Sequence, residues 1–308
     1  MNASSKDFRR PAAASAPGHS PAEPAPTAQV SEMIDAITKT FVISHGSDPD
    51  ARLAKALVFN AGRLAWRMRE SGLHVEQKTS VSDVVTEADR VAERFIAQAL
   101  RQLRPDDAVF GEEGARSASR SGRTWVIDPV DGTYNFAHGS DYYCSALALV
   151  TGDVDDPEQV HFGAIHRPAM GYTWFGGADH APTRDGAPLT ELSCSGLEQS
   201  SLATYMHPTY LRDDRDAAVR QAWLRVASQA ATLRMLGAGS VDLAGVAEGG
   251  LGAWMQHSVP AWDWLPGKAL VEAAGGAAVQ HSAGGVTWSI AGNRQVVQQI
   301  VGLLGAPD

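Results

Sequence analysis

Two aspartates, Asp128 and Asp131, lie three residues apart within the run WVIDPVDGTYNF. Asp128 follows a short apolar run and precedes a proline, so it is predicted to lie at the end of a strand. Carboxylate and carbonyl oxygens are the ligands that hard divalent cations such as Mg²⁺ prefer. The backbone N–H groups of Gly132 and Thr133, which begin the next segment, could hold an anion. The run therefore predicts a Mg²⁺–phosphate site, and taken alone it leaves a plain surface turn as the alternative.

Further acidic residues are candidates for the same chemistry. Glu112 and Glu113 lie between glycines, which permit a tight turn that points carboxylates outward, and taken alone this pair is better explained as a solvated surface turn. Asp263 lies between two tryptophans, so its carboxylate is predicted to be partly buried, and a buried carboxylate needs a cation or hydrogen-bond donors. Asp89 belongs to a third acidic group, at residues 83–89.

Composition excludes several classes of protein. The 308 residues carry 26 Lys and Arg against 35 Asp and Glu, a net charge of −9, which argues against nucleic-acid or anionic-membrane partners. No uninterrupted apolar run is long enough to span a bilayer. The two cysteines, Cys144 and Cys194, cannot form a disulfide scaffold, and they indicate a reducing cytoplasm. Arg9 and Arg10 are not followed by the apolar region that an export signal requires.

The order of hydrophobic periods predicts a mixed helix and sheet body behind a tail. Residues 1–28 are rich in Ala and Pro and are predicted to be disordered, and residues 29–308 are predicted to form the folded domain, with a composition shift near 185 as the candidate internal boundary. Helices are predicted at 31–42, 53–68, within 83–103, and at 213–235, 240–247 and 267–274. Strands are predicted at 125–127, and at 145–150, 161–165 and 172–175 in one antiparallel sheet.

Four segments in order resemble the motifs of the inositol monophosphatase family, the Mg²⁺-dependent, Li⁺-sensitive phosphatases. They are KTSVSDVVTEADRVAE at 78–93, GEEG at 111–114, WVIDPVDGTYNF at 125–136 and the Trp-Asp pair at 262–263. The resemblance runs from about residue 50 to the end of the chain. It implies an α+β fold, the layered α-β-α-β-α sandwich of the inositol monophosphatase and fructose-1,6-bisphosphatase type, assembled as a homodimer. It also implies a phosphomonoesterase that acts on a small polyol or sugar phosphate.

The resemblance further implies a role for each matching residue. Two Mg²⁺ ions would be bound by Glu112, Asp128, Asp131, Asp263 and the carbonyl of Val130, and a third, weaker ion by Asp89 through water. The catalytic residues would be Glu112, Thr133, Asp89 and Lys78, with Thr133 and Glu112 activating the attacking water and Lys78 polarising the surrounding shell. The substrate would contact Val130, Asp131, Gly132, Thr133, Gly237, Ala238, Gly239, Gln256 and Asp263.

The sequence departs from the family pattern at two places, and both are expected to affect which substrate is bound more than how the ester is hydrolysed. Gln256 stands where inositol phosphatases carry a glutamate that binds substrate hydroxyls, and it can accept and donate hydrogen bonds without a charge. Leu265 and Pro266 follow Asp263 where the family has small residues, and a local change near the helix start is expected. Inositol 1-phosphate is the first expected substrate. The alternatives are histidinol phosphate, fructose 1,6-bisphosphate, a 3′-phosphoadenosine nucleotide, or a catalytically silent relative that binds phosphorylated metabolites.

Overall fold

A computed structural model describes residues 28–72, 75–80 and 83–306, and only the backbone of residues 28, 29, 75–80, 83 and 84. The predicted disorder of the tail falls on residues 1–27, which lie outside the described residues. Ala28 begins the first helix. Lys78 lies in the first strand, but its side chain is outside the described part of the chain.

Within these ranges the chain forms nine α-helices and fourteen strands. The helices are α1 (Ala28–His45), α2 (Asp50–Glu70), α3 (Glu87–Leu103), α4 (Thr133–Ala137), α5 (Pro208–Arg212), α6 (Ala217–Ala227), α7 (Gly239–Ala247), α8 (Ala261–Ala273) and α9 (Arg294–Leu304). The strands are β1 (Val75–Ser80), β2 (Asp83–Thr86), β3 (Ala108–Gly111), β4 (Arg123–Asp131), β5 (Cys144–Gly152), β6 (Pro157–Arg167), β7 (Tyr172–Gly177), β8 (His180–Arg184), β9 (Ala187–Pro188), β10 (Ser201–Thr204), β11 (Thr232–Arg234), β12 (Ala253–His257), β13 (Ala277–Ala283) and β14 (Val286–Gly292).

The described strands form three sheets. Seven strands pair in the order β3-β4-β5-β6-β7-β8-β9, antiparallel except for the parallel pair β3 and β4. Five strands pair in the order β11-β10-β12-β14-β13, and β1 and β2 form an antiparallel pair. The strands predicted at 145–150, 161–165 and 172–175 lie in β5, β6 and β7 of one antiparallel sheet, which confirms that prediction. The boundary near 185 stays a prediction.

Alternating side chains of the seven-stranded sheet serve two separate cores. On β5, Leu147 and Leu149 belong to the core shared with α1, α2 and α3. Ala146 and Ala148 point to the opposite face, into the core shared with α7 and α8. The five-stranded sheet lies beyond α7 and α8, and α6 and α9 cover its far face. The order of layers confirms the α+β, α-β-α-β-α sandwich.

Close backbone approach joins α8 to the seven-stranded sheet. A Cβ atom at Gly163 on β6 would collide with the backbone of Pro266 on α8, so only glycine fits at that position. The helix continues through Pro266 and begins at Ala261, six residues before the start that its sequence period predicts.

The helix predicted at 213–235 is wrong in extent. Residues 213–235 do not form one helix: a 3₁₀ turn spans 214–216, α6 ends at Ala227, and the segment Thr232–Arg234 becomes β11. Parallel pairing of β11 with β10 outweighs the helical preference of that segment. The helix predicted within 83–103 begins at Glu87, because Thr86 caps it and the preceding residues pair as β2.

None of the described helices combines the length and the apolar content that crossing a bilayer requires.

Candidate active site

The buried strand β4 ends in an irregular turn that carries both aspartates of the DPVD run. Pairing with β5 loses its register between Asp128 and Asp131. Within the turn, the backbone N–H of Val130 donates to Asp128 Oδ1 at 3.0 Å, and the hydroxyl of Ser145 on β5 donates to the carbonyl of Pro129. The turn is therefore anchored both by one of its own carboxylates and by the neighbouring strand.

A third carboxylate reaches this turn from α8. One oxygen each of Asp128, Asp131 and Asp263 lies within 4.8 Å of the other two. Asp263 lies in the first turn of α8, and the first two aspartates are buried. Glu112 lies in the loop that follows β3. Its backbone N–H donates to the carbonyl of Ile127 at 3.1 Å, which places it beside β4, and Glu112 lines the same cavity as the three aspartates.

The close carboxylates of Asp128, Asp131 and Asp263 repel one another, so positive charge would stabilise them. Burial, followed by the charges of Glu112, Asp131 and Asp263, raises the pKa of Asp128 well above its usual range. Burial also raises the pKa of Asp131, opposed by hydrogen bonds from the start of α7. Buried like charges this close are stabilised either by protons or by cations. Because all the donor atoms are hard oxygens, the residues fit a divalent cation such as Mg²⁺.

The hydroxyl of Thr133 links this turn to α3. Thr133 is the first residue of α4, and its Oγ1 lies 2.9 Å from Asp89 Oδ1 and 2.9 Å from the carbonyl oxygen of Val130. Asp89 is fully buried and forms a capping box with Thr86 at the start of α3. Burial raises the pKa of Asp89 to about 7. The water-mediated third ion at Asp89 stays a prediction.

Small residues bring a second segment of chain against the turn. Gly132 has φ 90°, a left-handed conformation that favours glycine. A Cβ atom there would lie 3.0 Å from Ala238 Cβ and 3.1 Å from the carbonyl oxygen of Gly237. The side-chain amide of Asn135 donates to the carbonyl of Leu236 at 2.7 Å. These contacts hold residues 236–238 as one wall of the cavity.

Asp131 also binds the start of α7. The backbone N–H of Gly239 donates to Asp131 Oδ1 at 3.1 Å, and that of Ser240 donates to Oδ2. Helix N-termini favour negative charge. The carboxylate that faces the other aspartates is thus fixed by backbone amides from the opposite side.

Most of the predicted site residues line one cavity of about 770 Å³. Its lining includes Glu112, Asp128, Val130, Asp131, Gly132, Thr133, Gly237, Ala238, Gly239, Gln256 and Asp263. Asp89 contacts the cavity wall through Thr133. Lys78 cannot be placed, because its side chain lies outside the described residues.

Two buried carboxylates beside the site were not predicted. Glu93 accepts hydrogen bonds from the backbone N–H groups of Glu113 at 2.8 Å and Ala115 at 2.7 Å, and burial raises its pKa to about 7. Asp242 lines the cavity, accepts a hydrogen bond from the hydroxyl of Tyr142 at 2.6 Å, and has a pKa that burial raises to about 7. Helical spacing could have indicated Glu93, because it lies one turn after Asp89 on α3.

Two basic residues on the outer wall were also missed. His207 is the N-cap of the short helix α5, Arg212 is its last residue, and both line the cavity. Nothing in their spacing in the sequence connects them with the acidic motifs, because α5 follows β10 of the other sheet.

Comparison with known proteins agrees with this geometry. The sequence model of the inositol monophosphatase family matches residues 47–305. The inositol-1-monophosphatase of Mycobacterium leprae (strain TN) is 34% identical over 217 residues, 67% of this chain and 71% of that protein. A fructose-1,6-bisphosphatase/inositol-1-monophosphatase of Thermotoga maritima is 28% identical over 209 residues, 68% of this chain and 76% of that protein. The crystal structure of the extragenic suppressor protein suhB from Bartonella henselae superposes with a TM-score of 0.72 at 23% identity, covering 82% of this chain and 97% of that one.

Proposed function

The chain belongs to the inositol monophosphatase family and is a phosphoric monoester hydrolase, and we propose that it hydrolyses a small polyol or sugar phosphate with Mg²⁺ held by Glu112, Asp128, Asp131 and Asp263. The observation that carries the proposal is the group of three close carboxylates in the same cavity as the Thr133–Asp89 hydrogen bond. A carboxylate group of this kind binds cations, and a hydroxyl–carboxylate pair beside it can move a proton.

The residues of the chain divide the reaction between them. When bound, Mg²⁺ would neutralise the phosphate ester and lower the pKa of the attacking water. The Thr133 hydroxyl is held by Asp89 and the Val130 carbonyl, where it can pass a proton from water to a carboxylate. Asp89 is the carboxylate that accepts the hydrogen bond from the Thr133 hydroxyl, and in the metal-free chain burial raises its pKa to about 7. The proposed role of Lys78 depends on a side chain outside the described residues.

Inositol 1-phosphate is the first proposed substrate. Gln256 on β12 lines the cavity, and its amide can donate to one hydroxyl and accept from another. The glycines of the 237–239 wall leave room for a sugar-like ring to approach the backbone closely. Both features suit a polyol leaving group.

A substrate with a second anionic group, such as fructose 1,6-bisphosphate, is the second candidate. Arg212 lines the outer cavity, where its Nε donates to the carbonyl of Pro208 at 3.3 Å. In the described part of the chain, no carboxylate oxygen lies within 4.0 Å of its guanidinium. Arginine in such a position favours a phosphate or carboxylate partner.

A phosphate-release screen over small phosphomonoesters tests the proposal, run with Mg²⁺, with EDTA, and with Mg²⁺ plus Li⁺. We expect Mg²⁺-dependent, Li⁺-sensitive release that is fastest from inositol 1-phosphate. Preference for a bisphosphate would select the second candidate. No release from any ester would reject the phosphatase and favour a silent phosphometabolite-binding relative.

We further propose a cytoplasmic homodimer with no nucleic-acid or membrane partner. The unpaired Cys144 and Cys194, and the net charge of −9, support this assignment. Light scattering of the purified chain tests the assembly, and a mass of one chain would reject the dimer.

A further inference from the structure

The loop that carries Glu112 is held from behind by one buried carboxylate. Glu93 Oε2 accepts the backbone N–H of Glu113 at 2.8 Å, and Glu93 Oε1 accepts that of Ala115 at 2.7 Å. Both amides belong to the three residues that directly follow Glu112, which lines the cavity. Glu93 itself is buried and is not among the residues that line the cavity.

The side chain of Glu93 packs tightly against the 111–115 loop. A Cβ atom at Gly111 would collide with the carboxylate of Glu93, so alanine there would force the carboxylate or the loop to move and would disturb the contact between them. Arg116 closes the far side of the loop, where its guanidinium donates to the carbonyls of Gly111 and Ala115. Loop and carboxylate thus form one packed unit.

The same unit extends to the other acidic residues. Asp89 lies one helical turn before Glu93 on α3, so one face of this helix holds both the Thr133 hydroxyl and the Glu112 loop. On the other side, Phe110 packs against Trp262 with ring centroids 5.6 Å apart, immediately before Asp263.

We propose that Glu93 is a positioning residue, which fixes the 111–115 loop and thereby sets the affinity of the site for divalent cations. The inference rests on the proposed metal site. Partners that orient the ligands of a metal ion change its affinity by about 10–100-fold when they are altered. A purely structural role for Glu93 would instead change the stability of the fold and leave cation affinity unchanged.

The test compares the full chain with Glu93→Gln, Gly111→Ala and Glu248→Gln. Glu93→Gln replaces one acceptor oxygen with an NH₂ group that opposes a backbone N–H. Gly111→Ala keeps every charge and displaces the loop from Glu93. Glu248 is the matched control: it accepts hydrogen bonds from Trp174 and Arg184, both at 2.9 Å, outside the cavity lining.

The primary readout is Mg²⁺ binding by titration calorimetry without substrate, beside the melting temperature in EDTA. We expect Glu93→Gln and Gly111→Ala to weaken Mg²⁺ binding about 10-fold or more, and Glu248→Gln to bind as the parent does. The Mg²⁺ concentration for half-maximal phosphate release should rise in parallel, with kcat largely recovered at saturating Mg²⁺.

Unchanged Mg²⁺ affinity in Glu93→Gln or Gly111→Ala would overturn the inference, whatever happens to the melting temperature. If neither variant folds, the Glu93→Asp variant is measured instead, because aspartate keeps the charge but is too short to reach both amides. A Mg²⁺ affinity of Glu93→Asp equal to that of the parent would then overturn the inference. Failure of the parent itself to bind Mg²⁺ would instead reject the proposed function, which keeps the two outcomes distinct.

Discussion

The hydroxyl of Thr133 lies 2.9 Å from Asp89 Oδ1, joining the first residue of α4 to the first turn of α3. The same oxygen lies 2.9 Å from the Val130 carbonyl, and a hydroxyl has one proton, so the two acceptors share it. This arrangement suits a group that accepts a proton from water and passes its own to a carboxylate.

Replacement of Thr133 by valine should therefore lower kcat by about 100-fold or more, because it removes the hydroxyl and keeps the shape. KM for the ester should change little. Phosphate-release kinetics on Thr133→Val and Thr133→Ser measure this, and the serine variant should retain most of the rate. A valine variant as fast as the parent would remove Thr133 from the mechanism.

Asp128→Asn should abolish activity yet stabilise the metal-free protein. Asparagine keeps the oxygen that accepts from Val130 and removes one charge from a buried like-charged group. We expect the melting temperature in EDTA to rise by about 2–4 °C per kcal/mol of relieved repulsion, and the further rise caused by Mg²⁺ to disappear. Asp179→Asn, an exposed control, should change neither. A destabilised metal-free variant would contradict this account of the site.

The metal-free protein should lose stability as the pH rises through 7. Burial raises the pKa of Asp89, Glu93 and Asp242 to about 7, so the folded state holds protons that the unfolded chain has already lost. The stability that these protons provide is fully present below about pH 4, where the unfolded carboxyls are protonated as well, and it is lost progressively as the pH rises from there through 7. Of this loss, about 0.8 kcal/mol per group falls between roughly pH 6.5 and 8. His166 acts in the opposite direction: its folded-state pKa is lowered to about 4, while the unfolded imidazole loses its proton near pH 6.5, which adds about 0.4 kcal/mol of stability over the same window.

Urea denaturation in EDTA at several pH values measures this dependence. Asp242→Asn should flatten the curve, because it removes one of the buried carboxyls whose pKa is raised. A free energy of unfolding that rises over the same window would contradict the prediction.

Gln256→Glu should favour polyol monophosphates. A carboxylate makes stronger hydrogen bonds to substrate hydroxyls than an amide, which corresponds to about a fivefold gain in kcat/KM for inositol 1-phosphate. The added negative charge should at the same time disfavour fructose 1,6-bisphosphate. Steady-state kinetics with both esters measure the ratio, and an equal change for the two would exclude Gln256 from substrate selection.

Arg212→Gln should act on bisphosphates alone. Loss of a charged contact to a second phosphate should lower kcat/KM for fructose 1,6-bisphosphate about 10-fold, while inositol 1-phosphate hydrolysis stays within about twofold. Arg101→Gln, an exposed substitution on α3, is the control for net charge. Equal losses on both esters would assign Arg212 a structural role.

The local sequence alone was enough to predict the strand and the turn that carry Asp128 and Asp131. The apolar residues before Asp128 predict a buried strand, and the proline, the glycine and the second aspartate predict the turn that follows. Bringing Asp263 to that turn needs α8 to pack against β5 and β6, which no local pattern specifies. The resemblance to a known family supplied that long-range information.

Tertiary pairing accounts for the errors. The segment at 232–234 has no strong strand pattern, and it becomes β11 because β10 offers a parallel partner. Glu93 and Asp242 resemble ordinary polar residues on helices in the sequence. Their importance comes from backbone amides and a tyrosine hydroxyl that lie far along the chain.

The two sheets contribute differently to the cavity, and this has an evolutionary consequence. Glu112, Asp128 and Thr133 lie at the ends of strands of the seven-stranded sheet or in the segments that follow them. Gln256 lies on a strand of the five-stranded sheet, and Arg212 lies on α5, which follows another strand of that sheet. If the proposed function holds, we expect mutations of Arg212 and Gln256 to change which ester is preferred and to leave the residues around Asp128 in place. Such modularity allows one lineage to diversify among metabolites, in agreement with relatives whose names specify different phosphate esters.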